Sequence, residues 1–227
     1  MVFNSIFFIF CFLPVFMLIY YLVPGKLRNL LLFLGSLIFY AWGEPVYVIL
    51  MLFSSIFNYY MGTELERLYY DDRKQKINLI FSIIINLAVL VFFKYYGFLL
   101  NTIGGIIGIH IPHPELSLPI GLSFYTFRNL SYLFDIYLSK VSAQRNFLTF
   151  SVYSTMFPYT SAGPIVRYTD IETQLKQRTI NIFKFGIGAE LFVKGLAKKV
   201  LLADNLSVLY SSICGHPQML SLIHISE

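Results

Sequence analysis

Two apolar segments, residues 118–137 and 156–168, carry three charged side chains: Arg128, Asp135 and Arg167. A charged group at the depth of a lipid bilayer is costly, so it persists mainly where it faces a polar cavity or a partner inside a helix bundle. Such groups can line a path for a polar substrate. This part of the sequence therefore predicts a functional site and not only a membrane anchor.

Helical periodicity brings the polar residues of segment 119–139 together. At 3.6 residues per turn, the side chains of Tyr125, Arg128, Tyr132 and Asp135 fall within about 80° of arc. Arg128 and Asp135 are about 10 Å apart along the axis, too far for a direct ion pair, so each is expected to find a partner on another helix. We call these four residues the polar stripe. Two interpretations stay open: the polar stripe lines a water-accessible tunnel, or its charges serve packing or lie near the membrane interfaces.

The elements that position this stripe have the composition of membrane helices. The chain is 57% hydrophobic and 13% charged, whereas soluble domains have about 25% charged residues. The net charge of +5 does not indicate nucleic-acid binding, because the aromatic residues are spread along apolar runs and not along a basic face. The predicted fold is all-α: a polytopic helical membrane protein with re-entrant and interfacial helices, forming one domain over residues 1–227.

Apolar runs of about 20 residues are needed for a helix to cross a bilayer. Residues 98–109 contain three glycines, which predicts an interfacial or re-entrant segment separate from the span before it. Residues 182–202 are expected to lie along the interface, because their charged residues occupy about a third of the helix circumference. The predicted spans are residues 3–23, 30–43, 46–62, 77–93 and 119–137.

Basic residues predict the orientation of the chain. Loops 24–29 and 63–76 hold six basic residues and fall on one side, which is therefore predicted to be cytoplasmic, with the N-terminus outside. Residues 146–162, interrupted by Pro158 and followed by Gly163 and Pro164, must then form a broken re-entrant hairpin if Arg167 is also cytoplasmic. Lys94 lies at the outer end of its span and is expected to reach outward or to face a carboxylate.

Four segments together resemble the membrane-bound O-acyltransferase family, and most of all its alginate O-acetyltransferase branch. The resemblance runs in order from the N-terminus to about residue 207 and is doubtful over residues 208–227. It implies transfer of an acyl group, acetyl in this branch, from a cytoplasmic thioester to hydroxyls of an exported polysaccharide such as alginate, in the bacterial inner membrane. The segments are FFKYYGF (92–98), LPIGLSFYTFRNLSYLFDIY (118–137), FPYTSAGPIVRY (157–168) and GLAKKVLLADNL (195–206).

The resemblance also implies the other molecules involved. The donor would be acetyl-CoA or an acyl carrier, with no tightly bound cofactor, and the partners would be membrane lipids, the polysaccharide and periplasmic acetylation proteins. Arg167, Lys194, Lys198 and Lys199 are expected to attract the anionic donor or lipid head groups. Two alternatives stay open: a D-alanyl transfer protein for teichoic acid, and a transporter or channel fragment whose broken helices bind ions.

The family's catalytic histidine lies in a C-terminal half that has no counterpart in this sequence. The chain is therefore expected to be an N-terminal fragment without a catalytic residue and inactive alone. A metal site is not predicted either, because the one close pair of histidines lacks further ligands. The histidines are His110, His113, His216 and His224, and none lies in a matching motif.

Overall fold

A computed structural model describes residues 5–108, 118–160, 164–178 and 181–214. Every regular element in these ranges is a helix, which confirms the all-α prediction for the described residues. The chain forms two compact units. The first holds residues 13–178, and the second combines residues 2–12 with 179–227.

The first unit contains seven α-helices within its described residues. They are joined by short turns, two of which are 3-10 turns at Gly25–Leu27 and Phe157–Tyr159. The α-helices are α1 (Leu13–Leu22), α2 (Arg28–Gly43), α3 (Val48–Arg67), α4 (Asp72–Ile107), α5 (Leu122–Tyr137), α6 (Phe147–Thr155) and α7 (Tyr168–Lys176).

Two described helices, α3 with 20 residues and α4 with 36, are long and apolar enough to cross a membrane. Helices α2 and α5 have 16 residues each, or about 24 Å at 1.5 Å per residue, which is less than the roughly 30 Å of a bilayer's hydrocarbon core. Of the five predicted spans, length therefore supports the third and the fourth. Helix α2 covers the whole predicted span 30–43 and α5 ends at the predicted residue 137, so these helices are short because the apolar runs themselves are short.

Helix α4 corrects the prediction of a separate segment at residues 98–109. The helix is continuous from Asp72 to Ile107. Glycine weakens a helix by about 1 kcal/mol relative to alanine, but it keeps the backbone N–H that proline lacks, so the hydrogen-bond ladder continues. The helix ends where Gly108 adopts φ +75°, a left-handed conformation that closes helix C-termini.

The predicted charged loop 63–76 is also shorter than expected. Helix α3 continues to Arg67 and α4 begins at Asp72, which leaves residues 68–71 as the turn. The Asp71 carboxylate accepts a hydrogen bond from the backbone N–H of Lys74 at 3.1 Å and so caps α4. Hydrogen bonds from the Lys74 side chain and backbone lower the pKa of the Asp71 carboxyl.

Helix α5 is the central helix of the first unit, in contact with α3, α4, α6 and α7. Ten of its 16 residues are buried. Leu130 and Leu133, which lie outside the polar stripe, are among them, while Phe127 and Phe134 are exposed. The stripe therefore belongs to a helix that is surrounded on most sides.

Two carboxylates mark the two ends of this bundle. At the Glu44 end, the turn between α2 and α3 meets the start of α5, because Glu44 accepts a hydrogen bond from the Ile120 N–H at 2.8 Å. At the Glu66 end, the turn between α3 and α4 meets the exit of α5, where Glu66 pairs with Arg145. The alternation of ends is the one predicted from the order of the apolar segments.

The second unit consists, in its described residues after 178, of α8 (Ile182–Lys198), a π-helical turn (Lys199–Ala203) and α9 (Asp204–Cys214). The helix predicted over residues 182–202 is thus present and continues further. Within the described residues, α8 buries none of its side chains. Its placement along a membrane interface stays a prediction.

Candidate functional site

The sequence predicts a broken hairpin over residues 146–162, and we call residues 146–168, which include the arm that follows, the hairpin. Within its described parts, α6 ends at Thr155 and the 3-10 turn Phe157–Tyr159 follows. Helix α6 has nine residues, about 13 Å, so it is too short to cross a bilayer. The Asn29 amide donates to the Thr149 hydroxyl (3.3 Å) at the start of α6 and to the Leu175 carbonyl (3.4 Å) near the end of α7. The start of α6 and the end of α7 therefore lie at the same end of the bundle. That the segment between them is re-entrant in a membrane stays a prediction.

The tip of the hairpin packs between α2 and the start of α5. The Phe157 N–H donates to the Ser36 hydroxyl at 3.1 Å. Gly121 has φ +76°, and a Cβ at this position would lie 2.1 Å from the Thr160 carbonyl oxygen. Only glycine fits such a contact in a left-handed conformation, so this position fixes the closest approach of the tip to α5.

Arg128 lies beside the end of α6 and is 1% exposed. Its Nη1 donates to the carbonyls of Tyr153 (3.1 Å) and Ser154 (3.2 Å), and its Nη2 donates to the carbonyl of Tyr159. The last carbonyls of a helix lack partners within the helix and carry the negative end of its dipole. A buried cation is thus held here by backbone carbonyls on another element, as the sequence predicted for Arg128.

Tyr132 belongs to a buried aromatic group that joins α5 to both arms of the hairpin. Its ring centroid lies 4.8 Å from that of Phe150, 6.1 Å from that of Tyr153 and 5.1 Å from that of Tyr168. Gln144 connects two of the hydroxyls, since its backbone N–H donates to Tyr132 (2.8 Å) and its side-chain amide to Tyr168 (2.7 Å). Tyr132 therefore holds the base of the hairpin.

Asp135 lies one turn further towards the Glu66 end and is 5% exposed. Its Oδ1 is 4.0 Å from the Lys140 ammonium, and within the described residues its buried Oδ2 has no hydrogen-bond partner. Lys140 follows the same helix, and its N–H also donates to the Asp135 carbonyl at 2.8 Å. The expectation of a partner on another helix is therefore wrong for Asp135, because the chain turns back at Ser139 and brings Lys140 to it.

Tyr125 faces a different neighbourhood from the other three residues of the stripe. Its hydroxyl is buried and has no hydrogen-bond partner among the described residues. The side chain lines a small cleft between α3, α4 and α5, with Ser54, Asn86 and Thr126 as the other polar lining, and this cleft has room for about one water molecule. The structure thus brings Arg128 and Tyr132 to the hairpin, Asp135 to Lys140 just after α5, and Tyr125 to this cleft. That the four line a tunnel stays a prediction.

Neutral polar pairs also form part of this core, and the pattern of charged residues in the sequence did not predict them. Asn58 on α3 and Asn86 on α4 exchange two amide hydrogen bonds, of 3.0 and 2.8 Å. Ser55 on α3 donates to Ser154 on α6 at 3.1 Å. Asparagine within long apolar runs is the sequence signal for such contacts, since polar side chains in membrane helices bond to each other across the helix interface.

The residues predicted to attract a donor or lipids are exposed. Arg167 immediately precedes α7, and its backbone N–H donates to the Asp170 carboxylate at 3.4 Å. Lys194 pairs with Glu190 at 2.5 Å, and Lys199 pairs with Asp204. Lys198 is exposed and forms no ion pair among the described residues.

Lys94 and the histidines complete the predicted polar positions. Lys94 is exposed, lies 5.4 Å from the centre of the Tyr95 ring and faces no carboxylate within the described residues. That it reaches towards the outer side of a membrane stays a prediction. All four histidines lie outside the described residues. Within the described residues, no group of three or more metal-ligating side chains is present.

Comparison with known proteins identifies relatives of this chain. It is 38% identical over 213 residues to a probable alginate O-acetylase of Pseudomonas aeruginosa, covering 92% of the chain and 41% of that protein. It is 36% identical over 211 residues to the Azotobacter vinelandii protein of the same name, covering 91% and 42%. A peptidoglycan O-acetyltransferase of Helicobacter pylori is 31% identical over 237 residues, covering 90% and 45%. No family model and no solved structure matches the chain.

These relatives define the class that the chain resembles: O-acetyltransferases, as the resemblance to the membrane-bound O-acyltransferase family implies. The proteins to which it is similar are named alginate O-acetylases and a peptidoglycan O-acetyltransferase, which confirms the resemblance carried by the four segments. The chain spans about two-fifths of the length of the curated relatives it matches. Such relatives imply a membrane protein, and α3 and α4 are suited to cross one.

Proposed function

We propose that this protein acts as an O-acetyltransferase that moves acetyl from a cytoplasmic thioester to hydroxyls of an exported polysaccharide such as alginate. The observation that carries the proposal is the 38% identity to a probable alginate O-acetylase over nine-tenths of the chain. In this reaction the hydroxyl oxygen attacks the thioester carbonyl carbon, a C–O bond forms, the C–S bond breaks and the thiol leaves. A base takes the hydroxyl proton, which then goes to the thiolate.

The proposed location is the bacterial inner membrane, crossed several times, with the N-terminus outside. The alternation of the Glu44 and Glu66 ends supports a chain that passes back and forth. The Glu66 end also carries Arg67, Lys140 and Arg145, as a cytoplasmic end should. The donor would then arrive at the base of the hairpin.

In this proposal the residues of the hairpin region shape the route between donor and acceptor. Arg128 and Tyr132 contact the short buried helix α6, and Asp135 lies further along α5 beside Lys140. A helix that stops inside the bundle shortens the distance between the two aqueous sides. Arg167 and Lys198 are exposed, which suits attraction of an anionic thioester or lipid head groups. Lys194 and Lys199 share this role with weaker effect, since Glu190 and Asp204 already pair with them.

A second acceptor is favoured by one specific observation. The relative from Helicobacter pylori is named a peptidoglycan O-acetyltransferase, so the hydroxyls of a cell-wall glycan are the alternative acceptor. The names of these three relatives favour neither D-alanyl transfer nor transport.

Deleting the gene for this protein from its host tests the proposal. Cells fed with labelled acetate are expected to lose ester-linked acetyl from an exported polysaccharide, and a plasmid-borne copy should restore it. Loss of acetyl from peptidoglycan instead would select the second acceptor. Unchanged acetyl in both polymers, with altered teichoic acid D-alanine or altered solute uptake, would overturn the proposal.

A further inference from the structure

We propose that Arg128 is a positioning residue that fixes how far the hairpin enters the bundle. Its guanidinium holds carbonyls on both sides of the break in the hairpin: those of Tyr153 and Ser154 at the end of α6, and that of Tyr159 in the following 3-10 turn. The inference concerns the path of the backbone and goes beyond the proposed function, because it holds whichever group the enzyme transfers.

The backbone itself explains why these carbonyls need a donor from outside. In a continuing helix, the Ser154 carbonyl would accept from the N–H four residues later, but that residue is Pro158, which has no N–H. The Tyr153 carbonyl would accept from Phe157, whose N–H donates instead to the Ser36 hydroxyl at 3.1 Å. Both carbonyls are thus deprived of helical donors by features of the break.

The neighbouring carbonyls accept hydrogen bonds from groups within the hairpin, so only those bound by Arg128 need a donor from another helix. The Met156 N–H donates to the Val152 carbonyl at 2.9 Å. The Tyr159 N–H donates to the Met156 carbonyl at 3.0 Å, which leaves the Thr160 hydroxyl to donate to the Thr155 carbonyl at 3.0 Å. Arg128 therefore supplies the donors that the short helix and its turn do not supply for themselves.

A guanidinium suits this task better than other side chains. It presents several N–H donors in a rigid planar fork, so one group can bind carbonyls on two segments at a fixed separation. A lysine ammonium keeps the charge, which the negative end of the α6 dipole favours, but it lacks the fork. A methionine keeps much of the length without charge or donors. These three residues separate positioning by donors from simple filling of space.

A disulfide between α3 and α6 reports the position of the hairpin directly. The hydroxyls of Ser55 and Ser154 are 3.1 Å apart, so the pair S55C/S154C can cross-link where α6 keeps its place. Cys11 and Cys214 are first replaced by serine. The cross-linking rate is then measured in membranes for Arg128 and for the variants R128K and R128M, with R145M as a control for loss of an exposed arginine.

We expect R128M to cross-link at least tenfold more slowly than the Arg128 protein, R128K to fall between them, and R145M to match the Arg128 protein. Equal rates for Arg128, R128K and R128M would overturn the proposal. A rate for R128M above that for R128K would also overturn it, because that order indicates filling of space.

A second variant keeps the test decisive if R128M does not accumulate in membranes. Pro158→Ala returns an N–H to the position that can serve the Ser154 carbonyl. R128K/P158A is therefore expected to cross-link faster than R128K alone. A rate no faster than that of R128K would contradict the assignment. Because the readout is a cross-link and not acetyl transfer, failure here is distinct from failure of the proposed function.

Discussion

Arg128 on α5 and Lys194 on α8 are both cations in apolar helices, yet the two regions hold them in different ways. Arg128 is buried and binds backbone carbonyls of another segment, whereas Lys194 is exposed and pairs with Glu190 one turn earlier on its own helix. An exposed pair at this spacing contributes about 0.3–0.5 kcal/mol, while a buried polar group left without a partner costs about 1–3 kcal/mol. Changes at the hairpin should therefore act strongly and changes on α8 weakly.

The largest effect is expected at the hairpin tip. Gly121→Ala puts a Cβ 2.1 Å from the Thr160 carbonyl oxygen at φ +76°, and we expect the free energy of unfolding to fall by about 3 kcal/mol through clash and strain. Gly188→Ala is the matched control on α8, because a Cβ there meets nothing within 4 Å. Denaturant unfolding in detergent measures both, and an equal loss in the two variants would break the comparison.

A smaller effect is expected for the neutral pair between α3 and α4. Asn58→Ala leaves the Asn86 amide without its reciprocal partner, and we expect a coupling of about 1 kcal/mol in a double-mutant cycle with Asn86→Ala. Unfolding measured in the same detergent gives the coupling. Additive single effects would show that the two amides do not act together.

The exposed pair on α8 should matter less. Lys194→Ala is expected to change the free energy of unfolding by no more than about 0.5 kcal/mol, and raised salt should remove that difference. A loss above about 1 kcal/mol that persists in high salt would show that α8 is held as tightly as the hairpin.

The smallest effect is a pH dependence at the start of α4. The pKa of Asp71 is lowered by Lys74 from an ordinary value of 3.8, so this cap stabilises the folded state above about pH 4 and is lost as pH falls through the lower folded-state value. Hydrogen exchange at the first turn of α4 should therefore quicken on acidification. Asp71→Asn, which can still cap, should show a flatter pH profile, and identical profiles would contradict the assignment.

The sequence predicted the hairpin because its evidence is local. Pro158, Gly163 and Pro164 break the apolar run, and the basic residues around it require both arms to lie on one side. The continuity of α4 could not be predicted in the same way, since the glycines near residue 105 weaken a helix without removing a donor. Helix α2 ends at Gly43 and α5 at Tyr137, as the apolar runs predict, whereas α5 begins only at Leu122, after the left-handed Gly121.

The charges of the stripe were predicted, but most of their contacts were not. Arg128 binds main-chain carbonyls. Because every residue has one, the side-chain types in the sequence do not show which carbonyls will be bound. One signal was available: a proline four residues after Ser154 guarantees a carbonyl in need of a donor. Lys140 reaches Asp135 because the chain makes a left-handed turn at Ser139, with φ 56°. The residue types around Ser139 do not predict this turn.

The unequal lengths of neighbouring helices have a consequence for the surrounding lipid. Helix α4, with 36 residues, is about 54 Å long, whereas its neighbour α5, with 16, covers about 24 Å. Lipid tails beside the shorter helix must compress or splay to match it, at a cost that rises with each ångström of mismatch. Because α5 is enclosed on most sides, we expect such thinning of the bilayer only on the side where Phe127 and Phe134 are exposed.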